Sequence, residues 1–191
     1  MKKTFLVQGL LGAFVLTGML VFASVTEQKP SLKVGEAAPE FTVRDLDQKA
    51  VKLEDAKGYL LLVNFWATWC PHCVDEIPHL QKVYEKYADK GLKIYSVSNE
   101  DSRDLKEFMK DEDKAMDWHV LRDPSGDAIR TYNVSSIPAL YLIGPDGKML
   151  AKGNKLRGDS LDETLEEHID LVPEETLEKI KKAKEKEETT T

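Results

Sequence analysis

The segment Tyr59–Phe65 (YLLLVNF) is a nearly continuous apolar run that leads into Cys70-Pro-His-Cys73 and then into a helical pattern. A run this short with no polar alternation suits a strand buried on both faces, as in a parallel α/β sheet. Beyond it, Ile77, Leu80, Tyr84 and Tyr87 fall on one helical face, and Gly91 ends the helix. Leu92–Ser98 (LKIYSVS) reads as the next strand, which makes a β-α-β unit with the two cysteines at the first strand-to-helix junction.

The flanking segments extend this unit on both sides. Phe41–Arg44 and Ala50–Leu53 surround a polar turn and predict an N-terminal β-hairpin. Ser102 is placed to cap a helix that turns Leu105, Phe108 and Met109 inward, and Asp123-Pro-Ser-Gly126 is a turn. Ala139–Ile143 and Lys148–Ala151 are strands joined by the Gly144-Pro-Asp-Gly147 turn. Ser160 and Glu163 have capping-box spacing ahead of Leu161, Leu165, Ile169 and Val172, and Pro173 interrupts that helix. The expected fold class is α/β in three layers, with an N-terminal β-hairpin and a central helical insertion at about residues 99–131.

At 191 residues the chain has room for one ordinary domain. Ahead of it, Lys2 and Lys3 precede an uncharged stretch, Thr4–Thr26. As a helix this stretch would span about 34 Å, enough to cross a hydrocarbon core of about 30 Å. That length favours a retained signal-anchor, while Val21-Phe22-Ala23 has the small-residue pattern of a signal-peptide cleavage site before Ser24. In either case the lysines stay in the cytoplasm and the remainder is exported. The expected place is the outer side of the cell membrane on a single N-terminal anchor, or, after cleavage, the periplasm or the medium. The expected divisions are 1–26 signal-anchor or signal peptide, 27–38 linker, 39–172 folded domain and 173–191 charged C-terminal helix or tail.

With 27 basic against 34 acidic residues, the formal charge of -7 leaves no surplus to neutralise a phosphate backbone, so no nucleic-acid partner is expected. Cys70 and Cys73 are the only cysteines, which excludes a multiply stapled scaffold and a four-cysteine zinc site. Cys70 falls at a helix N-terminus, where free N–H groups and the helix dipole favour an anion and hence the thiolate. Pro71 fits the first helical turn because its missing N–H has no helical partner there. A protonated His72 would add positive charge beside the thiolate. A structural disulfide is a weaker reading, because so small a loop removes little unfolded-state entropy. A metal or copper-delivery site would need more ligands than Cys70, Cys73 and perhaps His72, and His79, His119 and His168 are scattered. No metal and no organic cofactor is therefore expected.

Asn64-Phe-Trp-Ala-Thr-Trp-Cys-Pro-His-Cys73 resembles the active-site segment of the thioredoxin superfamily. The likeness extends to Pro78 in the following helix and to Ser136-Ile-Pro138, which is similar to the family's cis-proline loop. The N-terminal hairpin, the insertion and the membrane segment narrow it to TlpA/ResA-like thiol-disulfide oxidoreductases, over about Pro39 to Leu171. The resemblance implies a thioredoxin-like fold and a catalytic Cys70 that attacks from an exposed position, with Cys73 as resolving thiol. Both would alternate between a dithiol and a redox-active disulfide. It implies that Glu76 acts near the thiols, and that Ile137 and Pro138 keep a backbone edge open for a substrate polypeptide beside Trp69. Asn64 departs from thioredoxins, which place a buried Asp there. Pro71-His72 resembles the dipeptide of strongly oxidising DsbA-type proteins, whereas Ile137 and the rest of the body resemble reducing relatives. The implied activity is protein-disulfide exchange with exported cysteine-containing clients, in a reductant or exchange role such as cytochrome c maturation. Its electrons would come from or go to a membrane-side protein. A peroxiredoxin-type peroxidase is the alternative enzyme, but its P-x-x-x-T/S-x-x-C pattern is missing, since Val63 and Ala67 occupy the two key places.

Overall fold

The computed structural model describes residues 32–189, so the uncharged segment Thr4–Thr26 and its reading as an anchor lie outside the described residues. The strands are β1 (Thr42–Asp45), β2 (Ala50–Lys52), β3 (Leu60–Phe65), β4 (Leu92–Ser98), β5 (His119–Arg122), β6 (Ala139–Ile143) and β7 (Met149–Lys152). The helices are α1 (Pro71–Tyr87), α2 (Ser102–Phe108), α3 (Asp127–Thr131), α4 (Asp159–His168) and α5 (Glu174–Glu188). The strands form one sheet in the order β2-β1-β5-β4-β3-β6-β7. The β3–β4 and β4–β5 pairs are parallel, and the others are antiparallel. The result is an α/β sheet with helices, as the motif order implies, but a mixed one rather than the parallel sheet that the apolar run suggests, since β3 also pairs antiparallel with β6.

The apolar run becomes β3, and all six of its residues are buried. Alternate side chains leave a strand on opposite faces. Leu61, Val63 and Phe65 join a cluster with Phe41, Tyr95, Tyr132 and Tyr141, near α3. Leu60 and Leu62 join the other cluster, with Leu80 and Val83 of α1 and Leu161 and Leu165 of α4. A strand with helices on both sides has no solvent face, which is why the run lacks polar alternation. β4 alternates in sequence yet is buried almost throughout, because its serines have partners inside. Trp118 Nε1 donates to Ser96 Oγ at 2.8 Å, and Ser98 Oγ donates to Glu100 at 2.9 Å.

Four local expectations change. The central insertion carries α2 and α3, and between them β5, a strand too short and too polar at its ends to show a period. The cap of α2 is Asp101 rather than Ser102, whose hydroxyl instead accepts from Gln48 Nε2. The cap of α4 is Gly158, so Ser160 lies inside the helix and makes no cap. Helix α5 is not wholly solvated: Thr176 is buried and Leu177 packs on the core.

The described part of the linker is also held. Gly35 N–H donates to Met149 O, Met149 N–H to Glu36 O, and Ala38 N–H to Gly147 O. The β6–β7 turn that receives it follows Ile143, which pairs with Leu61 near the start of β3. The chain therefore enters the domain at the end of the sheet opposite the cysteines.

Candidate active site

Strand β3 ends at Phe65, and a short loop delivers Cys70 to the N-terminus of α1. Cys70 is the N-cap and Pro71 the first helical residue. The Cys73 N–H, in the first turn, is shared between the Cys70 carbonyl at 3.0 Å and Cys70 Sγ at 3.3 Å. No acidic residue occupies that first turn, so the dipole's positive end is not neutralised locally. Cys70 and Cys73 are joined as a disulfide, with Cα atoms 5.2 Å apart. One turn of helix is the right span for this bond.

The exposure of the two sulfur-bearing residues differs less than expected. Cys73 is 2% exposed and Cys70 only 6%, so Cys70 is reached at an edge rather than across an open surface. Trp69, directly before it, is 70% exposed and forms that edge. Trp66 is buried and packs against Phe108 with ring centroids 5.5 Å apart. On the other side, Cys70 Sγ lies 3.9 Å from the carbonyl oxygen of Ile137. The Ile137–Pro138 peptide is cis, Pro138 is buried and Ile137 half-buried. The structure thus brings Cys70, Cys73, Trp69, Pro71, Ile137 and Pro138 to one place.

Two further residues singled out in the sequence sit differently. The His72 side chain is 88% exposed and its Nδ1 lies 4.0 Å from Asp75 Oδ2, so a carboxylate faces the imidazole. Glu76 is half-buried on α1, and its Oε1 is shielded from solvent without a hydrogen-bond partner among the described residues. Among the described residues, no group of three or more His, Cys, Asp or Glu is placed to hold a metal ion.

Sequence reasoning missed the supports of the site. Glu100, just after β4, accepts from the Thr68 N–H at 2.8 Å and from the Thr68 hydroxyl. Buried Arg122, at the end of β5, donates to the Glu100 carbonyl at 2.9 Å and to Asp101 Oδ1 at 2.7 Å. Arg157 donates to the carbonyl oxygen of Pro138. None of these residues belongs to a spaced motif. The one signal was an arginine ending an apolar stretch, which needs partners if it is buried.

Comparison with known proteins gives a consistent set of likenesses. The AhpC/TSA family model matches residues 34–152. A thiol-disulfide oxidoreductase ResA of Bacillus cereus is 33% identical over 173 residues, 88% of this chain and 97% of that protein. The solved thioredoxin domain of a thiol-disulfide oxidoreductase from Bacteroides vulgatus is 38% identical, with a TM-score of 0.64 over 72% of this chain and 98% of that one. A thiol:disulfide interchange protein from Bacteroides sp. is 35% identical, with a TM-score of 0.64 over 73% of this chain and 91% of that one.

Proposed function

Because this chain belongs to the AhpC/TSA family and is a thioredoxin-fold thiol-disulfide oxidoreductase of the ResA type, we propose that it exchanges disulfides with exported, cysteine-containing proteins outside the cytoplasmic membrane. The observation that carries this reading is the Cys70–Cys73 disulfide at the start of α1, between exposed Trp69 and the Ile137–Pro138 loop. Exchange requires a thiolate, a second thiol within reach and room for a partner polypeptide; the place of Cys70 at a helix N-terminus, its bond to Cys73 and the exposed Trp69 support that reading.

In the reducing direction, the Cys70 thiolate attacks one sulfur of a client disulfide. A Cys70–client bond forms, and the client's other sulfur leaves as a thiolate. The Cys73 thiolate then attacks Cys70 Sγ, closing the Cys70–Cys73 disulfide and releasing the client's remaining sulfur as a thiolate. Two electrons pass to the client, and the two client thiolates take up protons. A membrane-side protein dithiol returns the pair to its reduced form. Pro71 and the donor at Cys73 N–H pre-organise Cys70, Trp69 and the edge at Ile137 and Pro138 receive the client, and Glu76 handles a proton near Cys73. Cytochrome c maturation is the pathway in which a reductant or exchange protein of this kind would serve.

Export is supported by Lys2 and Lys3 ahead of the uncharged run Thr4–Thr26. The entry of the chain at the end of the sheet remote from Cys70 fits an anchored domain whose cysteines face away from the bilayer. Alkaline phosphatase fused after Thr191 tests the location: the fusion should be active, and an inactive fusion would refute export. Retention of the intact chain in carbonate-washed membranes would establish the anchor, and a mature form beginning at Ser24 would replace it with a cleaved signal.

A further inference from the structure

We propose that Glu100 is the positioning residue of Cys70, acting through Thr68. The inference rests on the reading of Cys70 as the nucleophile. Thr68 lies two residues before Cys70 in the loop between β3 and α1, and both of its donors end on one carboxylate. Its N–H meets Glu100 Oε2 at 2.8 Å and its hydroxyl meets Oε1 at 2.5 Å. Ser98 Oγ adds a third hydrogen bond to Oε2 at 2.9 Å. A carboxylate only accepts, so three donors converging on it fix its position, and hydrogen bonds to a charged acceptor are the stronger kind.

The support behind Glu100 is rigid as well. Its N–H donates to Ser98 Oγ at 3.2 Å, and its carbonyl accepts from Arg122 Nε at 2.9 Å. Arg122 is 8% exposed and reaches Asp101 and Gln48 with its other nitrogens. The loop is also pinned before Thr68, where Trp66 N–H donates to Val97 O, and after it, where Cys70 N–H donates to Ala67 O. Thr68 is the point between these pins where a side chain from β4's loop takes hold. Its loss would let Cys70 drift from the Cys73 N–H that meets its sulfur at 3.3 Å. That contact favours the thiolate, so drift should raise the pH at which Cys70 ionises.

The tie and the charge of Glu100 make opposite predictions. A negative charge near a thiol opposes its ionisation, so a role through charge alone means that removing the carboxylate lowers the pH midpoint. A role through the tie means that breaking it raises the midpoint. Glu100→Gln separates the two, because a carboxamide oxygen still accepts from Thr68 N–H and its nitrogen can donate to the Thr68 hydroxyl.

The experiment follows iodoacetamide alkylation of the fully reduced full-length chain against pH, with mass spectrometry assigning the modified cysteine. Glu100→Ala should raise the Cys70 midpoint by about one unit, which means about tenfold slower alkylation below the midpoint. Glu100→Gln should stay near the parent, and Thr68→Val, which keeps the N–H bond, should fall between. Thr68→Val added to Glu100→Ala should slow the reaction no further. Tyr87→Phe, which removes a hydroxyl at the far end of α1, should leave the midpoint in place. Equal shifts in the Ala and Gln variants, or an equal shift in Tyr87→Phe, would overturn the proposal. If Glu100→Ala does not fold, a parent-like midpoint in Thr68→Val overturns it and an intermediate one supports it. First alkylation of Cys73 in the parent chain would instead overturn the assignment of Cys70 on which the proposal rests.

Discussion

Arg157 Nη2 donates to the carbonyl oxygen of Pro138 at 2.5 Å, joining the exposed approach to α4 to the residue just ahead of β6. In the proposed function Pro138 belongs to the edge that receives clients. Arg157→Ala should loosen that edge while leaving both sulfurs in place. Exchange with a disulfide-bonded protein should slow by about tenfold or more, since a charge-assisted hydrogen bond contributes about 1.5 kcal/mol or more. Alkylation of reduced Cys70 by a small reagent should not change. Equal slowing of both reactions would show that Arg157 acts on the thiol and not on the edge.

In the proposed function His72→Val should lower the reduction potential, because a positive charge two residues from Cys70 would stabilise a thiolate but not a disulfide. The imidazole is 88% exposed and faces Asp75, so the shift should stay below about 30 mV, the equivalent of one unit in the Cys70 pKa. A glutathione-buffered titration of both forms measures it. Identical potentials would make His72 a solvated side chain and remove the oxidising hint carried by Pro71-His72.

Glu76→Gln should leave the fold intact and slow client release by Cys73 by about a hundredfold, the lower end of what positioned acid–base groups contribute. The basis is the shielded Oε1, a polar atom kept from water without a described partner. Single-turnover rates between pH 5 and 9 decide the matter. A Gln variant that matches the parent at every pH would return Glu76 to the helix surface.

The imidazole of His119 packs edge-on against Tyr95, with ring centroids 5.2 Å apart. Burial, and then the charge of Lys93, hold its pKa below the ordinary 6.5, while Asp45 opposes them. The unfolded chain therefore takes up this proton first as pH falls below 6.5, and stability drops until folded His119 is protonated too. The thermal midpoint should decline from pH 7 to pH 5, and the decline should be shallower in His119→Gln. Because the residue keeps an exposed edge, the difference should be small. An unchanged slope would mean that another group governs this range.

Tyr59–Phe65 and the pattern ending at Tyr87 were legible because burial on two faces and a 3.6-residue period leave direct marks in a sequence. The cysteine motif and Pro138 were legible through resemblance. β5 was not, since HVLR is four residues long and ends in an arginine whose burial depends on partners distant in sequence, the Glu100 carbonyl and Asp101. The same reason hid Glu100 itself: its partner Thr68 is 32 residues away, and only the parallel pairing of β3 with β4 brings the two loops together. Ser102 and Ser160 misled as caps because a residue one or two places from the true N-cap has nearly the same local sequence around it.

The roles of the two cysteines are tested most directly by trapping. Full-length Cys73→Ala and Cys70→Ala chains would be expressed in their native cells, and the cells quenched in acid to freeze exchange. Adducts would then be resolved with and without reductant. Attack by Cys70 and resolution by Cys73 predict that Cys73→Ala accumulates reductant-sensitive protein adducts linked through Cys70, and that Cys70→Ala carries none. Equal trapping by the two variants, or adducts joined through Cys73, would contradict it.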